Sequence, residues 1–160
     1  MSGLVLLHAA PGAGFEAPFE MLEACHQRVH RMLDLLERLS AHLSEHGADE
    51  PARQAAHDVM RYFDQAGPAH HEDEERHVLP RLRAAQHGAL AERLHADHEA
   101  MARAWAQVRA DLQAVADAAW QRLAQPAADG RWEAFAVLYR EHIRAEEDEA
   151  YPAARDGLDA

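Results

Sequence analysis

His70-His71-Glu72-Asp73-Glu74-Glu75-Arg76-His77-Val78-Leu79-Pro80 and His142-Ile143-Arg144-Ala145-Glu146-Glu147-Asp148-Glu149-Ala150-Tyr151-Pro152 carry one pattern twice. In each, one glutamate follows the histidine by four residues, a second by five, and a proline by ten. On a helix, side chains four apart leave nearly the same face, about 40° from one another. Each segment therefore sets an imidazole beside a carboxylate. A lone His-x-x-x-Glu is more often a wet surface pair. Two copies with identical offsets read instead as one metal-binding half-site used twice. Burying two carboxylates among apolar layers costs several kcal/mol each unless a cation compensates, and a divalent or trivalent metal with neutral imidazoles does that.

The surroundings of both segments are helical. Phe19, Leu22, His26, Val29, Leu33, Leu36 and Leu43 alternate steps of three and four, with Ser40 in register. The same holds for Leu94, His98, Met101, Trp105, Val108, Leu112 and Val115, and for the stripes around the two repeats. Ala, Leu, Glu, Arg and Gln dominate the chain, Ile143 is its one isoleucine, and threonine is absent. Breakers predict four helices. The first runs from about Pro18 to His46. The second runs from about Asp49 to His87, kinked at Gly67-Pro68 and at Pro80. The third runs from about Ala89 to Gln125 and is closed by Pro126. The fourth opens at Asp129-Gly130 and reaches Tyr151-Pro152. Short connections favour antiparallel neighbours, so the fold expected is an all-α, up-down-up-down four-helix bundle. Residues 18–154 form the bundle, residues 1–17 an arm that lies against it, and residues 155–160 a tail.

One histidine sits in each apolar stripe: His26, His70, His98 and His142. A single histidine there is usually a hydrogen-bonded core residue. In an antiparallel bundle, however, these four agree in height within about two turns at 1.5 Å per residue, with Glu74 and Glu146 close by. They converge near one end. Thirteen histidines in 160 residues point the same way.

Charge narrows the partners. Twenty-eight acidic against 16 basic residues give a formal charge of −12, with no basic stripe for a phosphate backbone, so nucleic acid is not expected. The apolar run near Leu4 is too short to span a membrane and lacks a basic flank. Cys25 is the one cysteine, which excludes an internal disulfide and suits a reducing cytoplasm.

With these residues in view, the chain resembles the hemerythrin-like (HHE cation-binding) family. Tyr62 to Pro80 is similar to that family's second helix and Tyr139 to Pro152 to its fourth. Cys25-His26 and Asp97-His98-Glu99 fit the first and third. The resemblance spans about Pro18 to Ala154. It implies two non-haem iron ions, oxo- or hydroxo-bridged, that meet dioxygen or related small molecules. It implies His26, His70, Glu74, His98, His142 and Glu146 as ligands, the glutamates bridging the irons or capping one each. In the oxygen carriers the fourth-helix carboxylate follows its histidine by five, which here is Glu147. Glu146 shares the stripe with His142 and ranks first. The oxygen carriers also place two histidines four apart on the third helix, whereas the positions flanking His98 are Leu94 and Ala102. That departure leaves an open position, and His30, one turn after His26, is a candidate to fill it.

His71 and Glu75 repeat the spacing of four but face about 100° from the stripe, as groups behind the ligands or on the surface. Tyr62, Tyr139 and Tyr151 can donate hydrogen bonds near the centre, and nothing in the sequence chooses among them. Cys25 reads as a small buried hydrophobe. The leading expectation is a di-iron protein that binds or senses dioxygen, peroxide, nitric oxide or iron. The open position motivates an alternative, an oxidoreductase that scavenges peroxide or nitric oxide. A third reading places one zinc or no metal among the histidines, although glutamate-rich half-sites suit harder metals. Oligomeric state is not legible.

Overall fold

The computed structural model describes residues 17–156 and is helical with no strand among them. Four long helices, α1 (Ala17–His46), α2 (Glu50–His77), α4 (Gly88–Ala116) and α5 (Gln125–Ala145), pack in a closed ring, α1 on α2, α2 on α4, α4 on α5 and α5 on α1. Short helices α3 (Leu79–Ala84) and α6 (Tyr151–Asp156) cover one end. None of the described helices is long and apolar enough to cross a membrane. The arm expected over residues 1–17 lies outside the described residues, save Ala17, which opens α1. The expected tail contributes Arg155 and Asp156 to α6, and residues 157–160 lie outside the description.

The helix ends follow local chemistry. α1 stops where Gly47 takes φ +71° and its N–H returns to the Leu43 carbonyl at 3.0 Å, the left-handed cap that glycine adopts at no steric cost. Asp49 then caps α2, its Oδ1 accepting from the Ala52 N–H at 3.0 Å. α2 continues through Gly67-Pro68. The expected second helix to His87 is instead two, because the chain breaks at Val78 and restarts as α3 with Pro80 in the first turn, where its missing N–H is harmless.

Two further boundaries differ from expectation. The third helix ends at Ala116 rather than Gln125: Ala118 turns to φ +57° and the Ala119 N–H returns to the Ala114 carbonyl. No glycine marks this cap. The chain folds back through packing, with Trp120 against Trp132 at 6.0 Å between ring centres. Pro126 therefore opens the fourth helix rather than closing the third, and Asp129-Gly130 lies inside α5. Past Ala145, the five residues Glu146–Ala150 form a π turn in which the Tyr151 N–H reaches the Glu146 carbonyl. Pro152 has no N–H to return to Asp148, so the regular ladder cannot continue there.

The core is in two parts. The larger includes Val29, Leu33, Leu36, Val59, Phe63, Val108, Leu112 and Phe135. The smaller, at the capped end, includes Phe19, Leu22, Leu79, Leu82, Leu94 and Ala154. Each fully buried Leu or Phe contributes roughly 1.5–3 kcal/mol. Between the two parts runs a layer of buried histidines and glutamates.

Candidate metal centre

Height along each stripe places that layer. His26 lies between Leu22 and Val29, His98 between Leu94 and Met101, and the two repeats supply the rest from α2 and the α5–π-turn junction. His26, His70, Glu74, His98, His142 and Glu146 are all buried, the two glutamates completely. The structure brings these six together. It sorts them into two groups of converging donor atoms: His26, His70 and Glu146 on one side, and His71, Glu74, His98 and His142 on the other.

The distances are those of donors around a common point. Nε2 of His26 faces Nε2 of His70 at 3.2 Å, and Nε2 of His98 faces Nε2 of His142 at 3.2 Å. Donors about 2.1 Å from one ion stand about 3 Å apart at right angles. Each glutamate also straddles the groups. Glu146 Oε1 is 3.2 Å from His26 Nε2 and 3.3 Å from His142 Nε2. Glu74 Oε1 is 2.9 Å from His70 Nε2 and 3.7 Å from His98 Nε2.

Proximity here is not hydrogen bonding. Both oxygens of Glu146 and Oε1 of Glu74 are buried without a hydrogen-bond partner, because the neighbouring ring N–H groups do not point at them. A buried carboxylate left so costs several kcal/mol. A cation between the groups satisfies the same oxygens and the facing nitrogens, so the residues present fit a metal.

Behind the imidazoles stand more carboxylates. His98 Nδ1 donates to Glu75 at 2.9 Å, His142 Nδ1 to Asp97 at 3.0 Å, and His26 Nδ1 to Glu147 at 3.3 Å. Fixing the proton on Nδ1 leaves the Nε2 lone pair turned inward, the arrangement that orients metal-ligating histidines. The repeated Glu-Glu thus has a division of labour. Glu74 and Glu146 turn into the layer, while Glu75 and Glu147 reach across to a histidine on a neighbouring long helix. His70 lacks such a partner, and its buried Nδ1 is unpaired.

Protonation follows from burial and charge. Burial alone would lower His70, but the Glu74 carboxylate outweighs it and raises His70 to about 10. His98 is raised for a similar reason, against burial, by Glu74 and Glu75. Burial lowers His26 and His142, and lowers His71 further, with His98 beside it. Glu74 is held well below the usual carboxylate range because His70 and His98 outweigh the cost of its burial. Burial would raise the Cys25 thiol, yet His70 beside it and the Tyr62 hydroxyl bring it to about 7.

Three placements depart from the sequence reading. His30 is in neither group. It lies about 40° from His26 on the side away from Val29 and Leu33, at the edge of the buried stripe. Glu147 stands behind His26 instead of facing the layer. His71, expected behind the ligands or on the surface, stacks on His98 with ring centres 4.2 Å apart and completes a third imidazole on that side. Its signal was present: His71 precedes Glu74 by three, so Glu74 adjoins both histidines of the preceding turn. Tyr151 was undistinguished in sequence. Its hydroxyl donates to Glu74 Oε2 at 3.1 Å and lies 3.2 Å from His26 Nε2, with the rings stacked. The π turn brings it there, since residues five apart on a regular helix would not share a face with Glu146.

The chain matches the hemerythrin HHE cation binding domain over residues 17–154. It is 32% identical over 103 residues to an uncharacterized protein of Haemophilus influenzae, a match covering 63% of this chain and 60% of the relative. The chain thus spans about three fifths of that relative's length. No solved structure matches significantly. With the family covering all of the bundle and a buried His/Glu layer that fits cations at its centre, the chain belongs to the hemerythrin HHE cation-binding domain family.

Proposed function

We propose that the protein holds two iron ions, one in each donor group, and uses them to bind or sense dioxygen, peroxide or nitric oxide. The observation that carries the reading is that Glu74 and Glu146 each straddle both groups, in a layer between two apolar cores. Iron, when bound, supplies redox and Lewis-acid chemistry. The protein's part is to shape two unequal sides. His71, His98 and His142 give one side three imidazoles. The other has only His26 and His70, with the Tyr151 hydroxyl beside them. A small ligand therefore enters on the His26–His70 side, where Tyr151 orients it by hydrogen bonding. Burial raises the Tyr151 phenol well above its ordinary value, which keeps it a donor. A cytoplasmic setting suits the free Cys25 thiol.

Ferrous loading under anaerobic conditions, followed by nitric oxide or oxygen, tests the reading. The expected result is a ligand-dependent optical change that Tyr151→Phe weakens without altering metal content. A spectrum indifferent to every small ligand contradicts it. The second reading, an oxidoreductase that scavenges peroxide or nitric oxide, is favoured by the same phenol, placed to hand a proton to a bound ligand. Sustained turnover with a reductant supports it, whereas stoichiometric binding alone supports the sensor.

A further inference from the structure

The side with three histidines adjoins a cavity that the proposed chemistry does not use. It lies between α2, α4 and α5, has a volume of about 340 Å³, and ends on the rings of His71 and His98. Phe63, Trp105, Phe135 and Tyr139 form a continuous wall of tilted and edge-on rings, with centres 5.2 Å apart for Phe63–Trp105, 5.3 Å for Phe63–Phe135 and 5.5 Å for Phe135–Tyr139. Two small residues keep it open. Ala102 stands one turn beyond His98, and Gly67 faces the Tyr139 hydroxyl, which a β-carbon there would meet at 3.6 Å. Pro68, Glu99 and Ala102 are exposed at the mouth, so the cavity is reached from solvent between α2 and α4 without opening the bundle.

We propose that this cavity binds an uncharged aromatic molecule of one or two rings. A diatomic is about the size of a water molecule, whose share of liquid volume is about 30 Å³, so the room far exceeds what the small ligand needs. It falls in the range of organic-ligand pockets, about 300–1,000 Å³. The wall offers ring faces and edges to an aromatic guest. Apart from Glu99 at the mouth, the polar groups lie at the inner end, at His71, His98 and the Tyr139 hydroxyl, and there a single hydroxyl or ring N–H of the guest finds a partner. Glu99 at the mouth and the formal charge of −12 oppose an anion. The site does not depend on metal, but its occupant touches two of the proposed ligands.

Calorimetric titration of the full chain with indole, naphthalene and benzoate tests this, with metal content measured on the same samples. Indole and naphthalene bind one per chain, and benzoate at least tenfold more weakly. Ala102→Phe, which fills the mouth from an exposed helix position, weakens indole at least tenfold while helicity and metal content stay unchanged. Ala102→Leu gives an intermediate loss should the larger side chain disturb folding. Absence of saturable indole and naphthalene binding, or binding indifferent to both substitutions, overturns the proposal. So does binding that emerges only in a chain shortened to begin at Ala17, which would make the chain's own leading segment the occupant. Aromatic binding without metal uptake leaves this site standing and refutes the di-iron reading. Metal uptake without aromatic binding does the reverse.

Discussion

The half of the bundle built from α1, α2 and α3 and the half built from α4, α5 and α6 share a layout residue by residue. The shift in numbering that carries His26 onto His98 also carries Leu22 onto Leu94, Val29 onto Met101, Leu36 onto Val108 and Phe63 onto Phe135, every one buried. It carries His70, Glu74, Glu75 and Pro80 onto His142, Glu146, Glu147 and Pro152. Facing histidines are 44 residues apart in both halves. The departures gather at the polar layer. His71 answers to Ile143, Leu79 to Tyr151, Cys25 to Asp97, His30 to Ala102 and Gly67 to Tyr139. The shared positions build a symmetric cradle of facing imidazoles and straddling glutamates. The departures make it uneven: a third imidazole on one side, a phenol on the other, a carboxylate behind His142 where His70 Nδ1 is left unpaired, and a cavity where Ala102 replaces a histidine.

The largest expected effect tests the shared part. Glu74→Ala and Glu146→Ala occupy equivalent positions, so each reduces bound metal to less than half, measured by elemental analysis. A large loss in one and none in the other breaks the symmetry of the cradle. Next, His71→Ile makes the halves alike at that position. On the proposed two-ion reading it removes one imidazole donor from one side only, so one ion is lost or weakened at least tenfold while the other is retained. Equal loss of both would show that the sides are not separate.

The partners behind the imidazoles come third. Asp97→Asn weakens metal binding by about 10–100-fold, whereas Cys25→Ser changes it less than threefold, because His70 Nδ1 makes no hydrogen bond to lose. Competition against a chelator measures both. Fourth, His70, raised to about 10, keeps its proton at neutral pH in the metal-free protein, and a metal displaces it. Metal affinity therefore rises with pH between 7 and 9. The stability that protonated His70 gives the metal-free fold is full below its unfolded value near 6.5 and is lost as pH rises through about 10. Metal affinity independent of pH across that interval would contradict the assignment.

The smallest effect lies at the helix starts. Asp49 caps α2, and the shift carries it onto Gln121, whose extended backbone opens the 3₁₀ turn before α5 without a side-chain cap. Gln121→Asp gains about 0.5–1 kcal/mol, a rise of a few degrees in the thermal midpoint. An unchanged midpoint would mean that the second half is held by packing alone.

The bundle and its polar layer were legible because period and repetition are written in one dimension. Stripes of three and four gave the helices, and two copies of His-x-x-x-Glu-Glu marked the layer. Boundaries without punctuation were not legible: Ala118 turns the chain with no glycine, and Pro126 can open a helix as readily as close one. The place of His71 is not legible from its own helix, because an angle about one helix says nothing of how close the next helix comes. Tyr151 depended on a π turn, and Asp97 on a contact between helices. Spacing from His26 alone points to His30, but burial runs down the other side of that histidine.

The most direct test of the central claim is metal analysis of the intact protein after anaerobic ferrous loading, with its optical spectrum in air. About two irons per chain, one for each group of donors, with ligand-to-metal bands in the near ultraviolet, is the expected result. Zinc alone in the purified protein, or no metal after loading, would mean that the histidine–glutamate layer is structural and that no di-iron centre forms.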